Sequence, residues 1–166
     1  MKYPLWFAAF LTLFFMGCAT ASENFSEHIL LGPKPDFASM RTFQTLLNLE
    51  PGTPNYEKTR VEYLLERLGN SPYNFVRNDM EYTNRRAVMH LRWKYLRQHN
   101  QEMTAEQFID RVAASSKMTG QSYLMEVDSK TYPLREILHN ELDLLDERLA
   151  SEKQALSRQP KLKPTP

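Results

Sequence analysis

The sequence contains a single cysteine, only five glycines and almost no net charge, and these scarcities exclude several classes of protein. One cysteine cannot form an internal disulfide, so the fold must be held together by buried apolar side chains. A formal net charge of +1 gives no global field that would attract nucleic acid. The four histidines never stand at metal-ligand spacing, and there is no second thiolate. We therefore predict no nucleic-acid partner, no metal and no cofactor.

The beginning of the chain has the pattern of an export signal. Lys2 supplies a positive charge, residues 5–16 carry no charge, and Gly17-Cys18 follows directly. The apolar run is shorter than the roughly 20 residues that cross a bilayer, which predicts a signal peptide over residues 1–17. A glycine and a cysteine in this place resemble a bacterial lipobox, in which the cysteine is diacylated and becomes the new N-terminus. We predict lipid attachment at Cys18, and through it a membrane partner.

Two features near the cysteine bear on the compartment of the mature protein: the residue that follows Cys18 and a second possible cleavage site. Ala19 stands where an aspartate would retain an enterobacterial-type lipoprotein at the inner membrane, so we expect an outer-membrane lipoprotein facing the periplasm. Ala19-Thr20-Ala21 is also an A-x-A site, and cleavage after Ala21 would release a soluble periplasmic protein. A single exported cysteine thiol would be reactive. Lipidation explains both why the cysteine stands at this position and why it has no second cysteine to pair with.

What remains after residues 1–17 is enough for one modest domain. Of 166 residues 149 are left, with equal numbers of basic and acidic side chains. Residues 18–38 are predicted to be a flexible tether, because Gly32-Pro33-Lys34-Pro35 cannot propagate a helix. Residues 157–166 are rich in proline and lysine and are predicted to be a disordered tail. The single domain is then expected over residues 39–156.

Periodicity and capping signals within 39–156 predict an α+β fold. Four or five helices are expected to pack on a small antiparallel sheet made of a hairpin plus one strand. The hairpin turns at Asn78-Asp79, which tolerate positive φ, and the further strand covers residues 122–127. The helices are expected at residues 39–49, from Thr53-Pro54 to Gly69, from Thr83 to about Arg97, after the capping box Thr104–Gln107, and from Pro133 onward.

Several segments between residues 75 and 123 resemble the YfeK-like family of small exported bacterial proteins, which has a domain of unknown function. The resemblance rests on the order and spacing of five segments: Phe75-Val76-Arg77-Asn78, Tyr82, Ala87 with His90-Leu91 and Lys94, Thr104 to Ile109, and Ser116 through Thr119-Gly120 to Tyr123. Asp79 and Lys117 depart from the family pattern, where a glycine and a serine are usual. The resemblance implies a fold and an exported compartment, and no activity.

The polar residues of these segments form the candidate ligand-binding set: Arg77, Asn78, Tyr82, His90, Lys94, Ser116, Thr119 and Tyr123. His90 and Lys94 are four residues apart and share a helix face. A neighbouring ammonium would lower the pKa of His90 and leave a neutral imidazole beside cationic groups, suited to a small anion or a sugar. The same set would equally serve as a buried network that fixes helix against sheet, and we favour that structural interpretation.

Other chemistry has less support. No G-x-S-x-G elbow is present, and Ser115-Ser116 has no base nearby in sequence. The acidic cluster at positions 141, 143, 146 and 147 is expected to be a solvated helix face. The helix that begins near residue 84 is basic and includes Trp93, which is compatible with an ordinary surface or with contact to the envelope.

We therefore expect an envelope lipoprotein that serves as a non-enzymatic binding or structural module for an envelope protein or surface partner, rather than an enzyme. The alternative is a small-ligand-binding protein or minor hydrolase that uses a His90, Lys94 and Arg77 pocket.

Overall fold

A computed structural model describes residues 29–98 and 102–158 of the chain. The predictions for the signal peptide, for lipid attachment at Cys18, for tether residues 18–28 and for tail residues 159–166 fall outside the described residues. The described residues form five helices and a four-stranded antiparallel sheet, so the α+β prediction is confirmed. Across the same ranges, no helix combines the length and the apolar character that crossing a bilayer requires.

The helices lie close to their predicted positions. They are α1 (Arg41–Asn48), α2 (Pro54–Gly69), α3 (Asn84–Leu96), α4 (Ala105–Phe108), which continues as a π-helical segment (Ile109–Ala113), and α5 (Leu134–Arg158). The predicted N-caps are present, because the Thr53 and Thr83 hydroxyls each accept a backbone N–H from the first turn. Thr104 and Gln107 form the predicted capping box. The last helix includes Ser157 and Arg158, which the sequence analysis assigned to the disordered tail.

The sheet contains one strand more than the sequence indicated. Its strands are β1 (Asn74–Arg77), β2 (Met80–Tyr82), β3 (Leu124–Val127) and β4 (Lys130–Pro133), in the order β2-β1-β3-β4. Two two-residue turns connect them, Asn78-Asp79 and Asp128-Ser129, and all four turn residues have positive φ, as type I′ hairpins require. The predicted hairpin and the β1–β3 pairing are confirmed, whereas β4 was missed. A proline is tolerated there because β4 is an edge strand.

One face of the sheet packs against the helices. Phe75 on β1 and Met125 on β3 are direct strand partners, and both are buried. Leu91 and Tyr95 of α3 belong to the same core. The adjacent face of α3, which carries His90 and Lys94, lies beside the loop that precedes β3.

The segment before α1 corrects the predicted tether. Leu31 is fully buried and Phe37 is nearly so, and both belong to the core. The Leu31 N–H donates to Oε2 of Glu141 at 3.1 Å, and Arg67 donates to the Pro33 carbonyl at 2.9 Å. Proline and glycine prevent a helix here, but they do not prevent packing. The folded domain therefore includes residues 29–38, which the sequence interpretation assigned to the tether.

Glu141 also corrects the prediction of a solvated acidic face on α5. Its side chain is completely buried, where Oε1 accepts hydrogen bonds from the Tyr63 hydroxyl at 2.7 Å and from Nε of Arg67 at 2.6 Å. The neighbouring Asp146 is half-buried and lies 2.5 Å from Arg60. A buried carboxylate needs this compensation, because desolvating an unpaired charge is strongly unfavourable.

Candidate functional site

The centre of the candidate site is the phenol of Tyr123, which α3 meets from one side. His90 Nε2 and the Tyr123 hydroxyl share a hydrogen bond of 3.1 Å. Nζ of Lys94 donates to the same hydroxyl at 3.3 Å, and Ser116 also bonds to it. Because one helical turn separates His90 from Lys94, both reach one hydroxyl from the same face of α3. Four of the eight predicted residues therefore come together here.

The loop that carries Tyr123 is shaped by its own backbone hydrogen bonds. Ser116 N–H donates to the Gln121 carbonyl, Gly120 N–H donates to the Ser116 carbonyl, and Tyr123 N–H donates to the Ala114 carbonyl, all within 2.8–2.9 Å. We call residues 114–123 the Tyr123 loop. It is held rigid at its base, so its exposed tip projects beside α3.

Lys94 connects α3 to the Tyr123 loop. Its ammonium donates to the carbonyls of Val112 and Ser115 as well as to the Tyr123 hydroxyl, and it lies 4.8 Å from the centroid of the Tyr123 ring. These three bonds use all the N–H groups of an ammonium. Burial lowers the pKa of Lys94 to about 8, with further contributions from the positive charges of Lys117 and Arg77. Lys94 therefore has a clear structural role and also brings positive charge to the site.

A pocket of about 560 Å³ opens beside this cluster. We call it the Tyr123 pocket. Its lining combines cationic, aromatic and thioether side chains and comprises Arg77, His90, Trp93, Lys94, Arg97, Gln98, Ser116, Lys117, Met118 and Tyr123. Four of these residues are lysine or arginine, and none is acidic. A concave site with one sign of charge and partly apolar walls favours an organic anion.

Arg77 is the residue whose hydrogen bonding is incomplete. Its Nε is buried, and among the described residues it has no hydrogen-bond partner. Its guanidinium carbon lies 5.9 Å from the centroid of the Tyr123 ring, at the wall of the pocket. Leaving a buried donor of a charged group unsatisfied is unfavourable. An anion in the pocket would lie beside the positive charge of this guanidinium.

His90 has the electrostatic environment that the sequence predicted. Burial lowers its pKa below the usual 6.5, and the positive charges of Arg77 and Lys94 lower it further. The imidazole is therefore neutral at pH 7. Its ring is near-parallel to that of Trp93, with centroids 6.3 Å apart. His90 thus contributes a neutral polar edge to an otherwise cationic pocket.

The other predicted residues lie outside the Tyr123 pocket. The Thr119 hydroxyl donates to Oδ1 of Asn78 at 3.1 Å, an exposed bond that ties the tip of the Tyr123 loop to the β1–β2 turn. Tyr82 lines a separate cavity of about 130 Å³ that shares Arg77 and His90 with the main pocket. The Arg86 guanidinium lies 5.1 Å from the Tyr82 ring centroid. These contacts are structural, and they hold the hairpin against α3 and the loop.

Five lining residues were missed by the sequence analysis: Trp93, Arg97, Gln98, Lys117 and Met118. The first two had a usable signal, since positions 90, 93, 94 and 97 lie on one face of a helix. Lys117 was noted only as a departure from a family pattern. The position of Met118, which is 93% exposed, depends on the conformation of the Tyr123 loop and carries no periodic signal.

The arrangement is better suited to binding than to catalysis. All N–H groups of Lys94 are engaged, and burial raises the pKa of Tyr123, so neither is poised as a base at neutral pH. The hydrogen bond that orients His90 comes from a phenol and not from a carboxylate. Within residues 29–98 and 102–158, no three metal-ligating side chains converge.

Comparisons with known proteins give a family and no activity. The model of a family of unknown function, DUF5329, matches residues 55–146, which include β1, α3 and the Tyr123 loop. An uncharacterised protein of Salmonella typhimurium, YfeK, is 42% identical over 69 residues, which are 41% of this chain and 58% of that protein. The chain therefore matches less than two thirds of the length of this relative. No solved structure matches the chain.

Proposed function

The chain belongs to the DUF5329 family of unknown function, and we propose that this protein is a non-enzymatic envelope lipoprotein that binds small organic anions in the Tyr123 pocket. The observation that carries the proposal is the lining of the pocket. Four cationic side chains face a space without an acidic one, and the buried Nε of Arg77 lacks an acceptor. A carboxylate, sulfonate or phosphate group satisfies Arg77, and an apolar portion of the same ligand packs on Trp93 and Met118.

The proposal combines two expectations from the sequence. The first is that the protein is a non-enzymatic binding module, which was the favoured interpretation of the sequence. The second is a ligand pocket formed by His90, Lys94 and Arg77, which was the alternative interpretation. Lys94 builds the pocket wall, whereas Arg77, Arg97 and Lys117 are the cationic groups left to contact a ligand. A hydrogen bond to a charged group contributes about twice as much as a neutral one, so these three residues dominate affinity.

Titration calorimetry of the full chain tests the binding. Benzenesulfonate is the probe, and benzenesulfonamide, its neutral counterpart of nearly equal shape, is the control ligand. We expect saturable binding of the sulfonate and at least tenfold weaker binding of the sulfonamide. Equal affinity for both compounds, or no binding of either, would overturn the proposal.

Two variants locate the site. Arg77→Gln and Lys117→Gln are each expected to weaken sulfonate binding about tenfold, the effect of removing one charge-assisted hydrogen bond. Lys117 is exposed, so its replacement leaves the fold intact even if Arg77→Gln disturbs it. Arg41→Gln on exposed α1 is the matched control and should bind like the parent chain. If Lys117→Gln binds the sulfonate as tightly as Arg41→Gln does, the anion does not occupy the Tyr123 pocket.

The envelope location rests on the first eighteen residues. We propose that residues 1–17 are removed and that Cys18 carries the lipid, because Gly17-Cys18 ends a short uncharged run. Mass spectrometry of the mature N-terminus, after expression in a Gram-negative host, decides this directly. A diacylated Cys18 is expected. A free Ser22 terminus would contradict the lipid anchor and would leave the binding proposal unaffected.

A further inference from the structure

A stripe of large apolar side chains is exposed along α3. Met89, Trp93 and Leu96 are 63%, 53% and 59% exposed, and they stand at positions i, i+4 and i+7 of the helix. Residues at this spacing lie on one helix face, and this face points away from the buried Leu91. Three large apolar residues aligned in this way are unlike singly scattered surface residues. We call them the α3 stripe.

Arginines flank the α3 stripe, and no acidic residue is present between positions 84 and 97. Arg85 and Arg92 follow one edge of the stripe, and Arg86 and Arg97 follow the other, as their helical spacing requires. Arg97 lies over the Trp93 ring at 4.6 Å, and Arg92 pairs with Glu62 at 2.6 Å. The Arg92 pair is exposed and therefore weak enough to exchange for another anion.

We propose that the α3 stripe and its flanking arginines form a contact surface for an anionic lipid bilayer. Apolar side chains bordered by arginines are the composition of a helix that lies in the headgroup region. Tryptophan is favoured at that depth because its ring is apolar and its N–H is polar. The arginines then lie at the level of the lipid phosphates, where each basic residue strengthens association about fivefold.

The lipid anchor proposed above makes this contact sterically accessible, and to that extent the inference rests on the proposed function. The first residue that the structure describes is residue 29, and only ten residues, 19–28, separate Cys18 from it. A fully extended chain of that length spans at most about 40 Å. The domain is therefore confined near the bilayer, and the effective concentration of lipid headgroups at α3 is high.

The fluorescence of Trp93 tests the contact. The chain has two tryptophans, and Trp6 is removed with residues 1–17, so the mature lipidated chain retains Trp93 as the single emitter. Vesicles of equal parts phosphatidylglycerol and phosphatidylcholine are compared with vesicles of phosphatidylcholine alone. We expect a blue shift of Trp93 emission, and quenching by lipids brominated near the headgroup, on the anionic vesicles only. A lipid anchor by itself would give the same emission on both, and that result would overturn the inference.

Variants separate the α3 surface from the Tyr123 pocket. In the mature lipidated chain, Arg85→Gln combined with Arg92→Gln is expected to weaken the response to anionic vesicles roughly 25-fold. Neither arginine lines the Tyr123 pocket, so binding of benzenesulfonate should be unchanged. Lys58→Gln combined with Arg111→Gln removes two exposed charges elsewhere and is the matched control.

Two results of this comparison would contradict the α3 surface. One is that the control variant, with Lys58→Gln and Arg111→Gln, weakens the vesicle response as strongly as the α3 double variant does. The other is a response abolished by Lys117→Gln and retained by the α3 double variant, since that would assign the lipid contact to the pocket. Loss of sulfonate binding in calorimetry, with an intact vesicle response, would contradict the proposed function alone.

Discussion

His90 and Tyr123 share a hydrogen bond of 3.1 Å although 33 residues separate them in sequence. This contact joins α3 to the loop before β3, and the Tyr123 pocket lies between the two. The same loop is tied to the β1–β2 turn by Thr119 and Asn78. The pocket is therefore built on the end of β1, a helix and a loop whose relative positions are fixed by polar contacts. Such support keeps cationic groups in place before an anion arrives, which is the preorganisation that favours binding.

The first prediction concerns the inner side of α3. Leu91 is fully buried, so Leu91→Ala is expected to lower the free energy of unfolding by about 2–5 kcal/mol, through lost burial and the cavity left behind. Urea unfolding followed by circular dichroism measures this change. Met89→Ala, two residues earlier and exposed, should change stability by less than about 0.5 kcal/mol. Similar losses for both variants would mean that α3 faces the core differently.

The second prediction concerns the buried carboxylate that holds the N-terminal segment. Glu141→Gln removes the charge that Arg67 and the Leu31 N–H contact, and breaking a buried ion pair is expected to lower the free energy of unfolding by about 3–5 kcal/mol. Asp143→Asn makes the same chemical change at an exposed position of α5 and should have little effect. The two variants are compared by urea unfolding. Equal stability of the two variants would refute the role of Glu141.

The third prediction is a pH dependence of anion affinity. The pKa of Lys94 is lowered to about 8, so its positive charge is lost as the pH rises through that value. Benzenesulfonate keeps its own charge, and its affinity is expected to fall several-fold between pH 7 and pH 9. Bound anion favours the ammonium, so binding at pH 8 should take up protons from the buffer. Calorimetry in buffers of different ionisation enthalpy measures this uptake. An affinity that does not change with pH, together with no proton uptake on binding, would show that the protonation of Lys94 is not coupled to ligand binding.

The fourth prediction separates charge from packing at His90. Burial and the positive charges of Arg77 and Lys94 lower its pKa, so His90 is neutral at pH 7.5. Glutamine can still hydrogen-bond to Tyr123, and His90→Gln should bind benzenesulfonate within about twofold of the parent chain at that pH. At pH values well below 6.5, low enough to protonate this imidazole, the parent chain should bind more tightly, whereas His90→Gln should not. The same rise in both proteins would assign the proton to another group.

The sequence predicted the helices well because their signals are local. Thr53, Thr83 and Thr104 cap the helices that follow them, as the capping signals in the sequence indicated. The predicted hairpin was equally local, since two consecutive residues that tolerate positive φ are enough to specify it.

The features that were missed depend on distant partners. Strand β4 has only four residues, one of them proline, and it forms because β3 is present beside it. Leu31 looked like part of a tether because its partner, Glu141, lies 110 residues away. For the same reason, the sequence found the residues that surround the Tyr123 hydroxyl, but it missed Lys117 and Met118 at the tip of the loop.

The environment of Arg77 Nε tests the anion-binding account most directly, because this buried donor lacks a partner among the described residues. Nuclear magnetic resonance of the ¹⁵N-labelled full chain, titrated with benzenesulfonate, observes the Nε–H of each arginine. We predict that the Arg77 resonance moves saturably, with the affinity found by calorimetry, while the Arg41 resonance stays in place. An Arg77 resonance that does not move at saturating sulfonate would contradict the account.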